Sequence, residues 1–160
     1  TYFGESSVYY YSDGNTIFAG PTWDFDIAFA EEAPTGFLQP VTDNTLYRGL
    51  LQYPEFKEAL AKRFDEVYAE LVPTLKAELE YLKTNSTFQA AVAKHEELYH
   101  RNSRLDVREE WFAQSPTINN IDSIEGHLEY IKGWLLDGVE IDGTQYEGRL
   151  EWLKNHITEL

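Results

Sequence analysis

Apolar residues recur at helical spacing through most of this 160-residue chain, and no other feature constrains its fold as strongly. Pro54 suits the first turn of a helix. The apolar side chains that follow it are three or four residues apart and form one face: Phe56, Leu60, Phe64, Val67 and Leu71. A similar pattern from about Thr87 to Tyr99 indicates a further helix. We therefore predict that residues 46–160 are helical.

Three local signals refine these helices. Pro73 lacks a backbone donor and clashes with the preceding turn, so we expect it to break or kink the first long helix. Asp122 and Glu125 have the spacing of a capping box at the start of a later helix. Gly143 precedes a predicted last helix that carries Tyr146.

Three further positions invite a structural interpretation. His95 lies on an apolar helical face, so we expect a core histidine. Arg149 stands three residues before Trp152, a spacing that favours stacking on an aromatic ring or pairing with an acid. Asn85-Ser86-Thr87 matches a glycosylation acceptor, although such triplets often arise by chance.

The N-terminal region has the pattern of a β-hairpin. Residues 7–11 are aromatic and β-prone, and residues 16–19 have the composition of a second strand. Between them lies Asp13-Gly14, and Asp-Gly is among the strongest short hairpin signals. Residues 30–45 then have the composition of a loop. The predicted fold class is α+β and mostly α-helical, with a short N-terminal hairpin packed on a helical bundle.

An acidic motif follows the predicted hairpin directly: Gly20-Pro21-Thr22-Trp23-Asp24-Phe25-Asp26. An ionised carboxylate removed from water is costly unless it is paired or bound to a cation. Asp24 and Asp26 would also repel each other at close range, and a divalent cation would relieve that repulsion. We therefore predict a metal site with Asp24 and Asp26 as oxygen ligands, for Mg²⁺ or Ca²⁺. The structural alternative is that Asp24 caps a helix or turn.

Composition limits the classes of partner. The formal net charge is −15, which argues against a nucleic-acid polymer and against an anionic membrane surface. The absence of cysteine excludes disulfides and thiolate-bound zinc. No apolar run approaches the roughly 20 residues of a membrane-spanning helix. The length suits one domain over residues 1–160: hairpin and acidic motif over 1–29, loop over 30–45, and helices over 46–160.

The order of these segments resembles the CotH kinases, the spore-coat-protein-H-like atypical protein kinases. Their pattern is a Ser- and Tyr-rich strand, a turn, a second strand and a Gly-Pro-x-Trp-Asp-Phe-Asp-x-Ala-Phe run. This chain has Ser6-Ser7-Val8-Tyr9-Tyr10-Tyr11 and then the run from Gly20 to Phe29. The closing Arg149-Leu150-Glu151-Trp152-Leu153 is a looser match. Two departures stand out: Ala30 replaces a common Gly, and no Asp occupies positions 1–6.

The resemblance implies a kinase that transfers the ATP γ-phosphoryl group to Ser, Thr or Tyr of a protein substrate. Asp24 would hold Mg²⁺ against the phosphates and Asp26 would assist, where other kinases have Asp-Phe-Gly. Ser6 and Ser7 would contact metal or phosphate, with strand-edge hydrogen bonding as the alternative. The helices would resemble the C-terminal lobe of a kinase-like fold. The resemblance also favours an extracellular, cell-surface or spore-coat location.

Two hypotheses about the whole protein remain open. The chain begins at Thr1 and contains no Met, so we expect the C-terminal half of a CotH kinase-like domain, inactive alone, with its catalytic Asp upstream. The alternative is a non-catalytic cell-surface module. Its Tyr- and Trp-rich surface would bind carbohydrate or a partner protein, and Asp24 and Asp26 would hold a structural Ca²⁺. The residues identify neither the protein substrate nor the oligomeric state.

Overall fold

The computed structural model describes residues 10–20, Thr35, 45–99 and 121–159. In chain order its elements are β1 (Tyr10–Ser12), β2 (Ile17–Ala19), α1 (Thr45–Leu50), α2 (Pro54–Thr84), α3 (Ser86–Tyr99), α4 (Ile124–Lys132), a π-helical segment (Gly133–Asp137), β3 (Val139–Ile141), β4 (Thr144–Tyr146), α5 (Arg149–His156) and a terminal 3-10 turn (Ile157–Glu159). The strands form two separate antiparallel hairpins. The predicted fold class, mostly helical with an N-terminal hairpin, is confirmed.

Helix α2 is the longest described element and supports the C-terminal part of the chain. It begins at Pro54, where a missing backbone donor costs the helix no hydrogen bond. It then runs through Pro73 to Thr84, a length of about 46 Å at the usual rise per residue. Of the predicted break or kink at Pro73, the break is therefore wrong, and the kink stays a prediction. Proline removes one hydrogen bond of the helix, and the packing of α4, α5 and the terminal turn against α2 supports the rest.

Asn85 separates α2 from α3 and serves both helices. Its backbone N–H donates to the Tyr81 carbonyl, and its Oδ1 accepts from the backbone N–H of Phe88 at 2.8 Å. The possible glycosylation acceptor is thus used as a helix cap. His95 is exposed on α3 and its ring centroid lies 4.8 Å from that of Tyr99, so the prediction of a core histidine is wrong. The apolar face of α3 is only partly covered, since the helix contributes no fully buried residue.

The core lies where α4 and α5 pack against α2, and where the π-helical segment packs against α4 and α5. Its buried side chains are Leu51, Leu128, Tyr130, Trp134, Leu150 and Ile157. Helix α4 starts at a serine cap, because Ser123 Oγ accepts from the backbone N–H of Gly126 at 3.1 Å. The predicted capping box of Asp122 and Glu125 is therefore wrong by one residue. The third position after the true cap is Gly126, which has no side chain to complete a box.

A second hairpin lies within the region predicted to be helical. Strands β3 and β4 pair antiparallel, and Asp142-Gly143 forms the two-residue turn between them. Both turn residues have positive φ, 51° for Asp142 and 81° for Gly143, as the type I′ hairpin turn requires. Gly143 therefore closes a hairpin. Tyr146 lies on β4, and the last helix begins only after it.

Candidate functional site

The hairpin that leads to the acidic motif has a well-defined turn. Asp13 Oδ1 accepts from the backbone N–H groups of Asn15 at 2.9 Å and Thr16 at 2.8 Å. These bonds, first that of Asn15, lower the pKa of Asp13. Gly14 has a φ of +98°, which a side chain would strain. The Asp-Gly signal therefore predicted this hairpin correctly, because Asp13 and Gly14 themselves form its turn.

The strand register determines where the chain enters the motif. The pairs are Tyr10 with Ala19, Tyr11 with Phe18, and Ser12 with Ile17. Strand β2 ends at Ala19, so Gly20, the first residue of the motif, follows the strand at once. In an antiparallel hairpin the chain enters and leaves at the same end. The open end of this hairpin is the Tyr10–Ala19 pair.

The predicted ligands themselves lie outside the described residues: Ser6, Ser7, Asp24 and Asp26. The metal and cofactor assignments therefore stay predictions. Within residues 10–20, 45–99 and 121–159, no three His, Asp or Glu side chains lie close enough together to hold a metal ion. The part of the chain that the structure describes thus contains no carboxylate cluster that competes with the acidic motif.

Both faces of the β1–β2 hairpin present apolar groups to solvent, with Tyr11 and Phe18 on one face and Ile17 on the other. The rings of Tyr11 and Phe18 stack with centroids 4.8 Å apart and an interplanar angle of 11°. Tyr11 is 59% exposed and Ile17 is 66% exposed. A cross-strand aromatic pair of this kind stabilises a hairpin by roughly 0.2–1 kcal/mol. The stack therefore supports the hairpin and leaves an apolar surface next to the motif in sequence.

Tyr10 connects the hairpin to helix α1. Partial burial, followed by the interaction of its hydroxyl with the Tyr47 side chain, raises the pKa of Tyr10. Sequence reasoning missed Tyr47 because a tyrosine in a short helix carries no local signal of a distant partner. The contact matters for the site, because α1 begins just after the stretch that carries Asp24 and Asp26.

Lysine side chains join α2 to the α4 region. Lys83 pairs with Glu129 and Glu125 of α4, which raises the pKa of Lys83 and lowers that of Glu129. Lys132 lies 2.9 Å from Asp137. Pairs this exposed contribute little to stability, because water screens the charges. These cations are engaged with carboxylates, so they help to hold the fold rather than form a phosphate-binding site.

The closing segment that supports the looser resemblance docks α5 on α2. The Arg149 guanidinium lies 5.2 Å from the Trp152 ring centroid, as the spacing predicted, and burial lowers the pKa of Arg149. The Tyr68 hydroxyl of α2 donates to Glu151 Oε2 at 2.6 Å. Lys154 Nζ lies 4.5 Å from the centroid of the Tyr68 ring. Each of these contacts joins neighbouring turns of α5 or holds α5 against α2.

Fold and motif order together define a mostly helical chain in which a β-hairpin leads into an acidic motif. The chain belongs to the CotH kinase family, since the family model described as CotH kinase protein matches residues 2–159. This confirms the resemblance drawn from the motif. No curated protein and no solved structure matches the chain. No helix among the described residues is long and apolar enough to span a membrane.

Proposed function

We propose that this chain is part of a CotH-type protein kinase that transfers the γ-phosphoryl group of ATP to Ser, Thr or Tyr hydroxyls of a protein. The observation that supports this most is the family match over residues 2–159. The acidic motif that directly follows the hairpin adds to it. An extracellular, cell-surface or spore-coat location belongs to the same proposal.

Asp24 and Asp26 are the residues proposed to hold Mg²⁺. Both offer carboxylate oxygens, the donors that this hard cation prefers. Asp24 would be the main ligand, and Asp26 would orient it or bind a second ion. When bound, Mg²⁺ offsets the negative charge of the phosphate oxygens.

The hairpin topology supports a contribution from Ser6 and Ser7. The chain reaches the hairpin at Tyr10 and leaves it at Ala19, and these two residues face each other across the strands. Both stretches join the hairpin at this one end, which is compatible with the proposed contribution of Ser6 and Ser7. Their hydroxyls would contact metal or phosphate. The family pattern places the catalytic base at an Asp upstream of the Ser-Tyr strand.

A linked titration tests the proposal on the upstream-extended protein. Tryptophan fluorescence is followed while MgCl₂ and ATP are added in either order. We expect each to strengthen binding of the other, and Asp24→Ala to abolish this linkage. Asp65→Ala removes an exposed carboxylate on α2 and serves as the matched control, with wild-type linkage. Linked binding that survives Asp24→Ala would contradict the assignment of the ligand.

The charge-reducing variant separates metal ligation from folding. Asp24→Asn keeps the shape of the side chain and removes one charge from the metal shell. We expect weaker metal affinity with an intact fold, measured by titration and by thermal unfolding. A melting temperature that collapses in metal-free buffer would instead mark Asp24 as a structural group.

The exposed aromatic side of the hairpin favours one second candidate, a non-catalytic binding module. The stacked rings of Tyr11 and Phe18 present apolar surface that could contact carbohydrate or a partner protein, with Asp24 and Asp26 holding a structural Ca²⁺. The same titration distinguishes the candidates. Ca²⁺ binding that is indifferent to nucleotide supports the module, and nucleotide-dependent Mg²⁺ binding supports the kinase.

A further inference from the structure

We propose that Asp142-Gly143, the turn between β3 and β4, is a site of spontaneous modification from aspartate to isoaspartate, and that the fold protects Asp13-Gly14 from the same reaction. Both dipeptides lie in hairpin turns. Asp-Gly is especially prone to this reaction because glycine leaves the attacking nitrogen unhindered. The inference goes beyond the proposed kinase function, since neither turn contains a proposed ligand or catalytic group.

The reaction is internal to the chain and consumes no reagent other than water. The backbone nitrogen of the glycine attacks Cγ of the preceding aspartate, so that an N–C bond forms and a C–O bond of the protonated carboxyl breaks. The hydroxyl leaves as water with the proton of the nitrogen, which gives a five-membered succinimide. Water then opens one of the two ring carbonyls. Opening at one carbonyl restores aspartate, and opening at the other gives isoaspartate, in which the main chain runs through the side-chain carboxyl.

The first hairpin engages both reacting groups of Asp13-Gly14. The attacking nitrogen is engaged because the Gly14 N–H donates to Ser12 Oγ at 3.0 Å. The carboxyl is engaged because Asp13 Oδ1 accepts from the backbone N–H groups of Asn15 and Thr16. These bonds also favour the ionised carboxylate, which resists attack, over the protonated form that the reaction needs.

The second hairpin leaves the attacking nitrogen of Asp142-Gly143 available. Among the described residues, nothing accepts a hydrogen bond from the Gly143 N–H. Asp142 has a φ of 51°, a left-handed conformation that a residue with a side chain adopts at a cost. Both turns are exposed, so access of water does not distinguish them. The difference lies in the attacking nitrogen and in the bonds to the Asp13 carboxyl.

Isoaspartate at position 142 would disturb the structure around the second hairpin. It adds one carbon atom to the main chain of a two-residue turn, and the turn sets the pairing of Val139 with Tyr146. Gly138 also lies close to β4, since a Cβ added to it would lie 2.8 Å from the backbone O of Tyr146. The hairpin connects the π-helical segment to α5. We therefore expect the urea midpoint of unfolding to fall as isoaspartate accumulates at position 142.

Peptide mapping of the aged protein tests the proposal. The full protein is incubated for several weeks at mildly acidic pH. Its digests are then analysed by mass spectrometry with electron-transfer fragmentation, which distinguishes isoaspartate from aspartate. We expect isoaspartate to form at least about tenfold faster at position 142 than at position 13, the scale of opening one hydrogen bond to a charged group. Equal rates, faster reaction at Asp13, or no isoaspartate at position 142 would each overturn the inference.

The unfolded chain is the internal control, because both positions have the same Asp-Gly dipeptide. In concentrated urea the two aspartates should react at similar rates, which assigns the difference to the folded state. A difference of the same size in urea would assign it to the flanking sequence instead, and that result would overturn the inference.

Removal of one acceptor tests the protection of the first turn. Ser12→Ala deletes the acceptor of the Gly14 N–H, so isomerisation at Asp13 should become severalfold faster while Asp142 keeps its wild-type rate. Ser86→Ala changes an exposed serine of α3 and serves as the matched control, with wild-type rates at both positions. A wild-type rate at Asp13 in Ser12→Ala would show that this bond gives no protection and would overturn the inference.

Discussion

Gly148 offers a sharp test of the packing in the C-terminal part of the chain. The residue is buried, and a Cβ added to it would lie 2.4 Å from the backbone O of Leu136 and 2.5 Å from its carbonyl carbon. Ordinary van der Waals contact begins at 3.4 Å, so the backbones would have to separate. The required movement is about 1 Å, in an interior with few voids to absorb it. Both clashing atoms belong to the backbone, so rotation of a side chain cannot relieve them.

The cost of Gly148→Ala follows from this geometry. Overpacking of a core costs roughly 1–3 kcal/mol, and a clash between backbones belongs at the upper end. The φ of Gly148 is −64°, which alanine adopts without strain, so the cost is purely steric. We expect the free energy of unfolding to fall by about 3 kcal/mol. The melting temperature should fall by about 6–12 °C for a chain of this size.

Urea and thermal unfolding, followed by circular dichroism, measure this loss. The matched control is Gly49→Ala in α1, where an added Cβ meets nothing within 4 Å. Alanine should stabilise that helix by about 0.5–1 kcal/mol, so the two variants are expected to differ in sign. A loss below about 0.5 kcal/mol for Gly148→Ala would refute the close approach of Gly148 to Leu136.

Three further variants probe single interactions. Burial raises the pKa of Tyr130 to about 12. The native state therefore keeps a proton that the unfolded state loses above about pH 10, so stability should fall as the pH rises from about 10 towards 12. In Tyr130→Phe, the urea concentration at the unfolding midpoint should depend less on pH above about pH 10 than it does in the wild type. Tyr68→Phe should cost about 1–2 kcal/mol in urea unfolding, because Glu151 loses a donor; an unchanged midpoint would argue against this contact. Ser123→Ala should cost about 1 kcal/mol of thermal stability through loss of the α4 cap, and wild-type stability would contradict that cap.

Local chemistry made the N-terminal hairpin and the main helices predictable from the sequence. Asp13-Gly14 between two aromatic stretches specifies a turn, and the structure uses the Asp13 side chain to form it. The apolar spacing after Pro54 specifies a helix that begins where proline is tolerated. In both cases the residues that carry the signal are close in sequence to the structure they produce.

The missed features depended on competing local signals or on tertiary contacts. Asp142-Gly143 carries the same turn signal as the first hairpin, but the spacing of Tyr146 with the apolar residues after it favoured a helix. Pro73 was expected to break or kink α2, and the tertiary packing that keeps this helix continuous is not visible in its local sequence. Such outcomes follow when packing outweighs propensity.

In the candidate site, too, the sequence indicates some features and not others. The sequence indicates Asp24 and Asp26 as ligands because two charges beside large apolar residues need a partner. It does not indicate the Tyr10–Tyr47 contact. Tyr10 and Tyr11 are adjacent tyrosines that look alike in sequence, and only the fold shows that Tyr10 interacts with Tyr47 of α1.

Phosphoryl transfer tests the central claim most directly, namely that Asp24 holds Mg²⁺ for a kinase reaction. The upstream-extended protein is incubated with Mg²⁺, γ-labelled ATP and a mixture of proteins, and label on protein hydroxyls is measured. We expect label transfer by the wild type and by Asp65→Asn, and none above background for Asp24→Asn. Equal transfer by Asp24→Asn and the wild type, or no transfer by any of the three, would contradict the claim.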